Sequence, residues 1–68
     1  MTVSNSEKSS IAEKVIVAHA SSKGAGGEDL AAQSADLLAD IAHLCHQKGI
    51  VFEDVIERGL IHFESEIE

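Results

Sequence analysis

The sequence predicts an all-α protein in which a helical hairpin follows a short N-terminal helix. Apolar residues recur at three- and four-residue steps from Leu30 to Leu44, and again from Phe52 to Ile67. That spacing is typical of a helix that buries one face. A single turn signal, Lys48-Gly49-Ile50-Val51, separates the two stripes. In a chain of 68 residues this pattern describes one domain.

The N-terminal part divides into two segments. Residues 1–10 are polar and rich in serine, and they are predicted to be disordered. Ser10 and Glu13 have the spacing of a capping box, which predicts a helix over 11–20. Val15-Ile16-Val17 is β-branched throughout, so a strand over the same residues is the alternative.

Residues 21–27 form a Gly/Ser segment with three glycines and no large apolar side chain. This composition is typical of a flexible linker or of the end of the preceding helix. The segment lacks the Lys-Ser/Thr pair that follows the glycines of a phosphate-binding loop. Nucleotide binding is therefore not predicted there.

Residues 28–68 are predicted to form the hairpin domain. Glu28 and Asp29 lie in the opening turn of the first helix, and Gly49 stands where a left-handed C-cap favours glycine. Gly59 lies within the second stripe, where glycine costs about 1 kcal/mol relative to alanine, so we predict a close helix contact there. The residues predicted to form the core or an interface are Leu30, Leu37, Ile41, Leu44, Phe52, Val55, Ile56, Gly59, Leu60 and Phe63.

The small size of the chain predicts self-association. A domain of this length buries only about 60% of its unfolded surface and needs further stabilisation. The single cysteine, Cys45, cannot form an intrachain disulfide, and no Cys/His cluster has the spacing of a structural zinc site. We therefore predict a homodimer in which two hairpins pair as a four-helix bundle, without a cofactor.

The charge of the chain is concentrated in its C-terminal part. The net charge is −7; residues 1–27 carry two carboxylates against three lysines, and residues 28–68 carry ten carboxylates against two basic residues. Such a domain repels nucleic acid and anionic membranes. Asp54, Glu57 and Glu64 are predicted to form an acidic face. Its charge either keeps the protein soluble or mimics nucleic acid and binds a basic protein.

Few residues have the arrangement of a metal or catalytic site. Asp36, Asp40 and His43 share one helix face and are the candidate metal ligands, although an ordinary solvated pairing explains the same spacing. Cys45 and His46 are adjacent, so on a helix their side chains diverge by about 100° and do not form a nucleophile–base pair. We predict no metal site, no catalytic residue and a non-enzymatic interaction or structural module. With no long apolar run and no signal peptide, the chain is predicted to be cytoplasmic.

Residues 36–66 resemble a class of short acidic proteins that phages and integrated mobile elements encode. In that class a Leu-rich helix, a Gly-Ile/Leu turn and a helix ending in His-aromatic-x-x-Glu recur, as they do here through Gly49-Ile50 and His62-Phe63. The resemblance implies a helical hairpin of unknown function in the cytoplasm. Those hairpins usually have Asp or Ser as the cap of the second helix, where this chain has Val51.

The same segment is similar to the last two helices of MazG-type nucleotide pyrophosphohydrolases. Those enzymes bind magnesium through a Glu-x-x-Glu helix paired with a Glu-x-x-x-Asp-type helix. Only Asp36 and Asp40 match part of that set, and the preceding Glu-x-x-Glu helix is absent. The resemblance implies a reduced metal-dependent hydrolase as the alternative function, but the catalytic set does not carry over.

Overall fold

The computed structural model describes residues 3–67, and in that part of the chain it contains three α-helices and no strand. Helix α1 spans Asn5–Ser22, α2 spans Leu30–Lys48 and α3 spans Phe52–Glu66. The predicted all-α class is therefore confirmed. The predicted disorder of residues 1 and 2 and the end of the hairpin domain at residue 68 lie outside the described residues.

Helix α1 begins six residues before the predicted start. Ser4 is its N-cap: the Glu7 backbone N–H donates to Ser4 Oγ at 3.1 Å, and the Ser4 N–H donates to Glu7 Oε1 at 3.2 Å. The capping box thus lies at Ser4 and not at Ser10, and the predicted disorder is wrong for residues 5–10. The strand alternative for 11–20 is also wrong, since good helix formers on both sides outweigh the modest helix propensity of the β-branched run.

The Gly/Ser segment is the ordered end of α1. Gly24 adopts a left-handed backbone with φ 74°. The Ala25 N–H donates to the Ala20 carbonyl at 2.8 Å, and the Gly24 N–H donates to the Ser21 carbonyl at 3.2 Å. This pair of bonds is a Schellman motif, which satisfies carbonyls that the helix end leaves open. The segment was predicted to be a flexible linker or the end of the preceding helix, and its first four residues form the helix end.

A buried side chain, that of Gln33, forms hydrogen bonds with the loop between α1 and α2. Gln33 Nε2 donates to the Glu28 carbonyl at 3.0 Å and approaches the carbonyls of Ala25 and Gly26 at 3.5 and 3.4 Å. Asp29 caps α2, because its side chain accepts from the Ala32 N–H at 2.8 Å. The loop therefore has a fixed path rather than that of a flexible linker.

Helix α2 ends with the same motif as α1. Gly49 has φ 70°, the Ile50 N–H donates to the Cys45 carbonyl at 2.9 Å, and the Gly49 N–H donates to the His46 carbonyl at 3.4 Å. The predicted left-handed cap at Gly49 is confirmed. Helix α3 then starts at Phe52 without a side-chain hydrogen bond from its N-cap, Val51.

The end of α3 returns to the start of α1. The Asn5 side-chain amide donates to the Glu66 carbonyl at 2.9 Å, and Lys8 Nζ lies 3.2 Å from Glu66 Oε1.

Helix α1 packs mainly on α2, and α3 makes fewer contacts with its hairpin partner. The radius of gyration is 13.4 Å, against about 11 Å for a compact domain of this length. The three helices are therefore loosely assembled.

The protomer has almost no core among the described residues. Of residues 3–67, only Ala20, Cys45 and Gln33 are buried. Four of the predicted core residues are half-buried, namely Leu37, Ile41, Phe52 and Ile56. The large apolar residues of the predicted set that remain exposed are Leu30, Leu44, Val55, Leu60 and Phe63.

Gly59 does not lie at a close helix contact within the chain. A Cβ added there would meet nothing within 4 Å. The prediction for Gly59 is therefore wrong for the protomer. The physical reason is that α3 crosses its neighbours too sparsely to bring another helix over this position.

Candidate functional site

The most organised polar cluster joins α1 to α2. Lys23 Nζ donates to Asp36 Oδ1 at 2.9 Å and to Asp40 Oδ2 at 2.8 Å. His19 Nε2 lies 2.8 Å from the same Asp40 oxygen. His19 and Lys23 are four residues apart on α1, as Asp36 and Asp40 are on α2, so each pair lies on one helix face and the two faces meet. We call these four residues the His-Lys-Asp cluster.

Charges in the His-Lys-Asp cluster stabilise one another. Hydrogen bonds from Lys23 and then from His19 hold the pKa of Asp40 below its ordinary value of 3.8. Hydrogen bonds to Asp40 and Asp36 raise the pKa of Lys23 above its ordinary value of 10.5. At neutral pH Lys23 and Asp40 are therefore charged, and the cluster is a clamp that joins α1 to α2 through ion pairs.

The structure brings together two of the three predicted metal-ligand candidates. Donor atoms of Asp36, Asp40 and His19 lie within 4.8 Å of one another. The third predicted candidate, His43, is exposed and is not part of this group. The sequence pattern placed Asp36 and Asp40 on the solvent side of α2. In the structure both contact α1, which extends over that side, and both remain half-exposed.

The environment of the cluster fits a clamp better than a metal centre. The Lys23 ammonium already bonds both carboxylates, so a divalent ion would have to displace it. His19 Nδ1 is buried and has no hydrogen-bond partner in the described part of the chain, whereas a histidine that ligates a metal almost always donates its other N–H to a partner. The MazG-like alternative depends on Asp36 and Asp40 and gains no support from this geometry.

Cys45 and His46 do not form a nucleophile–base pair in the structure. Cys45 is buried, and a buried thiol in apolar surroundings is commonly inert. His46 lies beside it in sequence but is exposed on another side of α2. The geometry thus offers no nucleophile with a hydrogen-bonded base.

The predicted acidic face lies along the solvent side of α3. Asp54, Glu57 and Glu64 are exposed. None of the salt bridges found among residues 3–67 involves these three carboxylates. Their charge is therefore available to a cation from outside the protomer.

Comparison with protein-family models, with curated proteins and with solved structures gave no match at the level of significance required. Across the described residues, no helix combines the length and the apolar character that a membrane span requires.

Sequence reasoning missed three residues that organise the structure: His19, Lys23 and Gln33. Each makes its contacts across the loop between α1 and α2. These contacts can be inferred only once the helix ends at Gly24 and Asp29 are known. A signal for the cluster was present, since two pairs with i,i+4 spacing flank the Gly/Ser segment on helices that are joined by a short loop. No comparable pattern marked Gln33.

Proposed function

We propose that this chain is a small acidic, non-enzymatic interaction module whose fold is completed by self-association. One observation carries the proposal: the described chain buries only two apolar residues, Ala20 and Cys45, and leaves fourteen large apolar side chains exposed. A monomer that exposes so much apolar surface is a candidate for association with another protein surface.

The accessible area supports the same proposal quantitatively. The described protomer exposes 5474 Å², whereas a compact protein of this mass exposes about 4,100 Å². The excess is therefore about 1,400 Å² for each copy, against the 800 Å² or so that each partner contributes to a standard interface. Association that removed this excess would give the chain the burial that its own length does not provide.

A homodimer is the simplest assembly that meets this need. In the arrangement we propose, the α2–α3 hairpins of two copies pair as a four-helix bundle, and α1 stays clamped to α2 by the His-Lys-Asp cluster. A symmetric pair uses the same surface twice, so a single apolar face is sufficient.

The oligomeric state tests the proposal directly. Sedimentation velocity and light scattering across a micromolar concentration series should give a species of twice the 7.2 kDa chain mass. Its fraction should rise with concentration, together with thermal stability. A protein that unfolds cooperatively and stays monomeric at every concentration would exclude the self-associating module.

A second candidate follows from the acidic face of α3. Asp54, Glu57 and Glu64 are exposed and lie outside the salt bridges found among residues 3–67. This face would attract a basic protein and would fill its binding site in place of nucleic acid. Binding of a basic partner should weaken as salt is added, whereas self-association should strengthen, so the dependence on salt distinguishes the two.

A further inference from the structure

We infer that a second copy of this chain docks on the apolar side of α3. The surface, here called the α3 stripe, consists of Val55, Leu60, Phe63 and Ile67, all of which are exposed. This inference rests on the proposed function, since it names the surface through which self-association occurs. It makes a separate claim, because other exposed apolar residues lie on α1 and α2.

Helix α3 is the least covered of the three helices. It has no buried residue, whereas α1 buries Ala20 and α2 buries Gln33 and Cys45. Its ties to α1 are at its last turn, through the exposed Lys8–Glu66 pair and the Asn5 amide. An exposed pair of this kind contributes little to stability. Packing within the chain covers Phe52 and Ile56 in part and leaves the α3 stripe exposed.

Three exposed apolar residues of α3 share one side of the helix. At 100° per residue Val55, Leu60 and Phe63 fall within an arc of about 140°, and the exposed Ile61 lies on the other side with Asp54 and Glu57. Ile67 follows the last turn as the C-cap of α3 and lines the same groove as Phe63.

Apolar side chains are also exposed on the other two helices. Ile11 and Val15 of α1 lie about 40° apart, and Leu30, Leu38 and Leu44 of α2 fall within an arc of about 120°. The choice of α3 therefore rests on its having no buried residue, unlike α1 and α2.

A groove extends the α3 stripe toward α1. It has a volume of about 300 Å³. Phe63 and Ile67 line one side of it, and Asn5, Lys8 and Ser9 of α1 line the other. A side chain from a partner helix that crosses the stripe has a place to insert here, in the manner of a knob in a hole.

Area and charge favour a second copy as the occupant. Removing the excess surface of two protomers would bury about 2,800 Å², which is within the range of obligate homodimers. The net charge of −7 disfavours an anionic membrane or an acidic partner. Asp54 and Glu57 lie on the opposite side of α3 from the stripe. Glu66 lies on the stripe side, where Lys8 pairs with it at 3.2 Å. Two stripes can therefore meet without bringing an unpaired carboxylate of these three into contact.

The test compares two positions on the same helix. Phe63 and Ile61 are equally exposed, at 57% each, but Ile61 lies on the side of α3 away from the stripe. The Leu60→Ser/Phe63→Ser variant should raise the dimer dissociation constant about 30-fold or more, as for loss of a hot-spot contact. Ile61→Ser should dissociate as the wild type does, with circular dichroism at high concentration as the check on folding.

A second measurement does not depend on dissociation. In a Cys45→Ala chain, mild oxidation should form an interchain disulfide with Leu60→Cys or with Phe63→Cys, and not with Ile61→Cys. A dimer that survives the double serine variant, or crosslinks only through Ile61→Cys, would overturn the α3 stripe and leave the self-associating module intact. A wild-type protein that is monomeric throughout would overturn both.

Discussion

Glycine serves different purposes at different positions of this chain. At Gly24 and Gly49 the backbone is left-handed, with φ of 74° and 70°, and each residue ends a helix through a Schellman motif. A side chain in that conformation costs about 1 to 2 kcal/mol. Gly27 has no positive φ and has open space where a Cβ would be. The left-handed cap was predicted from the sequence at Gly49, whereas Gly24 and Gly27 stand in one Gly/Ser segment whose composition does not separate them.

At the residue scale we predict that Gly49→Ala lowers the free energy of unfolding by about 1 to 2 kcal/mol. The reason is strain at a left-handed position, because nothing lies within 4 Å of the added methyl. Urea denaturation at a fixed protein concentration measures the change. Gly27→Ala is the matched control and should leave the stability nearly unchanged. Equal effects at the two positions would show that the left-handed cap is not what requires glycine at 49.

At the scale of the elements, the clamp between α1 and α2 has a defined pH range. The folded pKa of Asp40 is lowered, so its contribution to stability is present above its ordinary pKa of 3.8 and is lost as the pH falls through the lower folded value. The folded pKa of Lys23 is raised, so its contribution is present below 10.5 and is lost as the pH rises through the higher folded value. The clamp is therefore complete between these limits.

We predict that Asp40→Asn destabilises the protein at pH 7, and that the difference from wild type shrinks as the pH falls below 3.8. Protonation of Asp40 in the wild type removes the same charge as the substitution does. Thermal unfolding across an acid pH series would show the convergence. Glu57→Gln, on the exposed side of α3 and beyond its first turn, is the control and should have little effect at any pH. A constant difference between Asp40→Asn and wild type would assign the loss to packing.

The sequence predicted the helices better than their partners. Local signals, namely apolar spacing in α2 and α3 and glycine at the end of α2, identified elements whose determinants lie within a few residues. The capping box was recognised as a motif but was assigned to Ser10, because Ser4 and Glu7 have the same spacing six residues earlier. Asp36 and Asp40 were correctly paired, yet His19 and Lys23 were missed, since that contact depends on how α1 folds over α2.

At the scale of the whole molecule, the sequence shows which residues form apolar stripes but not what covers them. Residues such as Leu60 and Phe63 have the spacing of a buried stripe, and in the protomer both are exposed. Periodicity indicates which side of a helix is to be covered and carries no information about whether the cover comes from the same chain. The chain exposes more area than a compact protein of its mass, which supports the self-association that we propose.

The final prediction distinguishes self-association from binding to a basic partner. Two copies of charge −7 repel each other, so added salt, which screens charges over about 8 to 10 Å at moderate ionic strength, should strengthen the dimer. Capture of a basic protein by the acidic face should weaken over the same range. Reversal of Asp54, Glu57 and Glu64 to lysine adds two positive charges at each position and takes the net charge from −7 to −1. The reversed chain should therefore dimerise with little dependence on salt, as measured by sedimentation equilibrium. A dimer that weakens with salt in the wild type would show that attraction between charges, and not the α3 stripe, holds the two copies together.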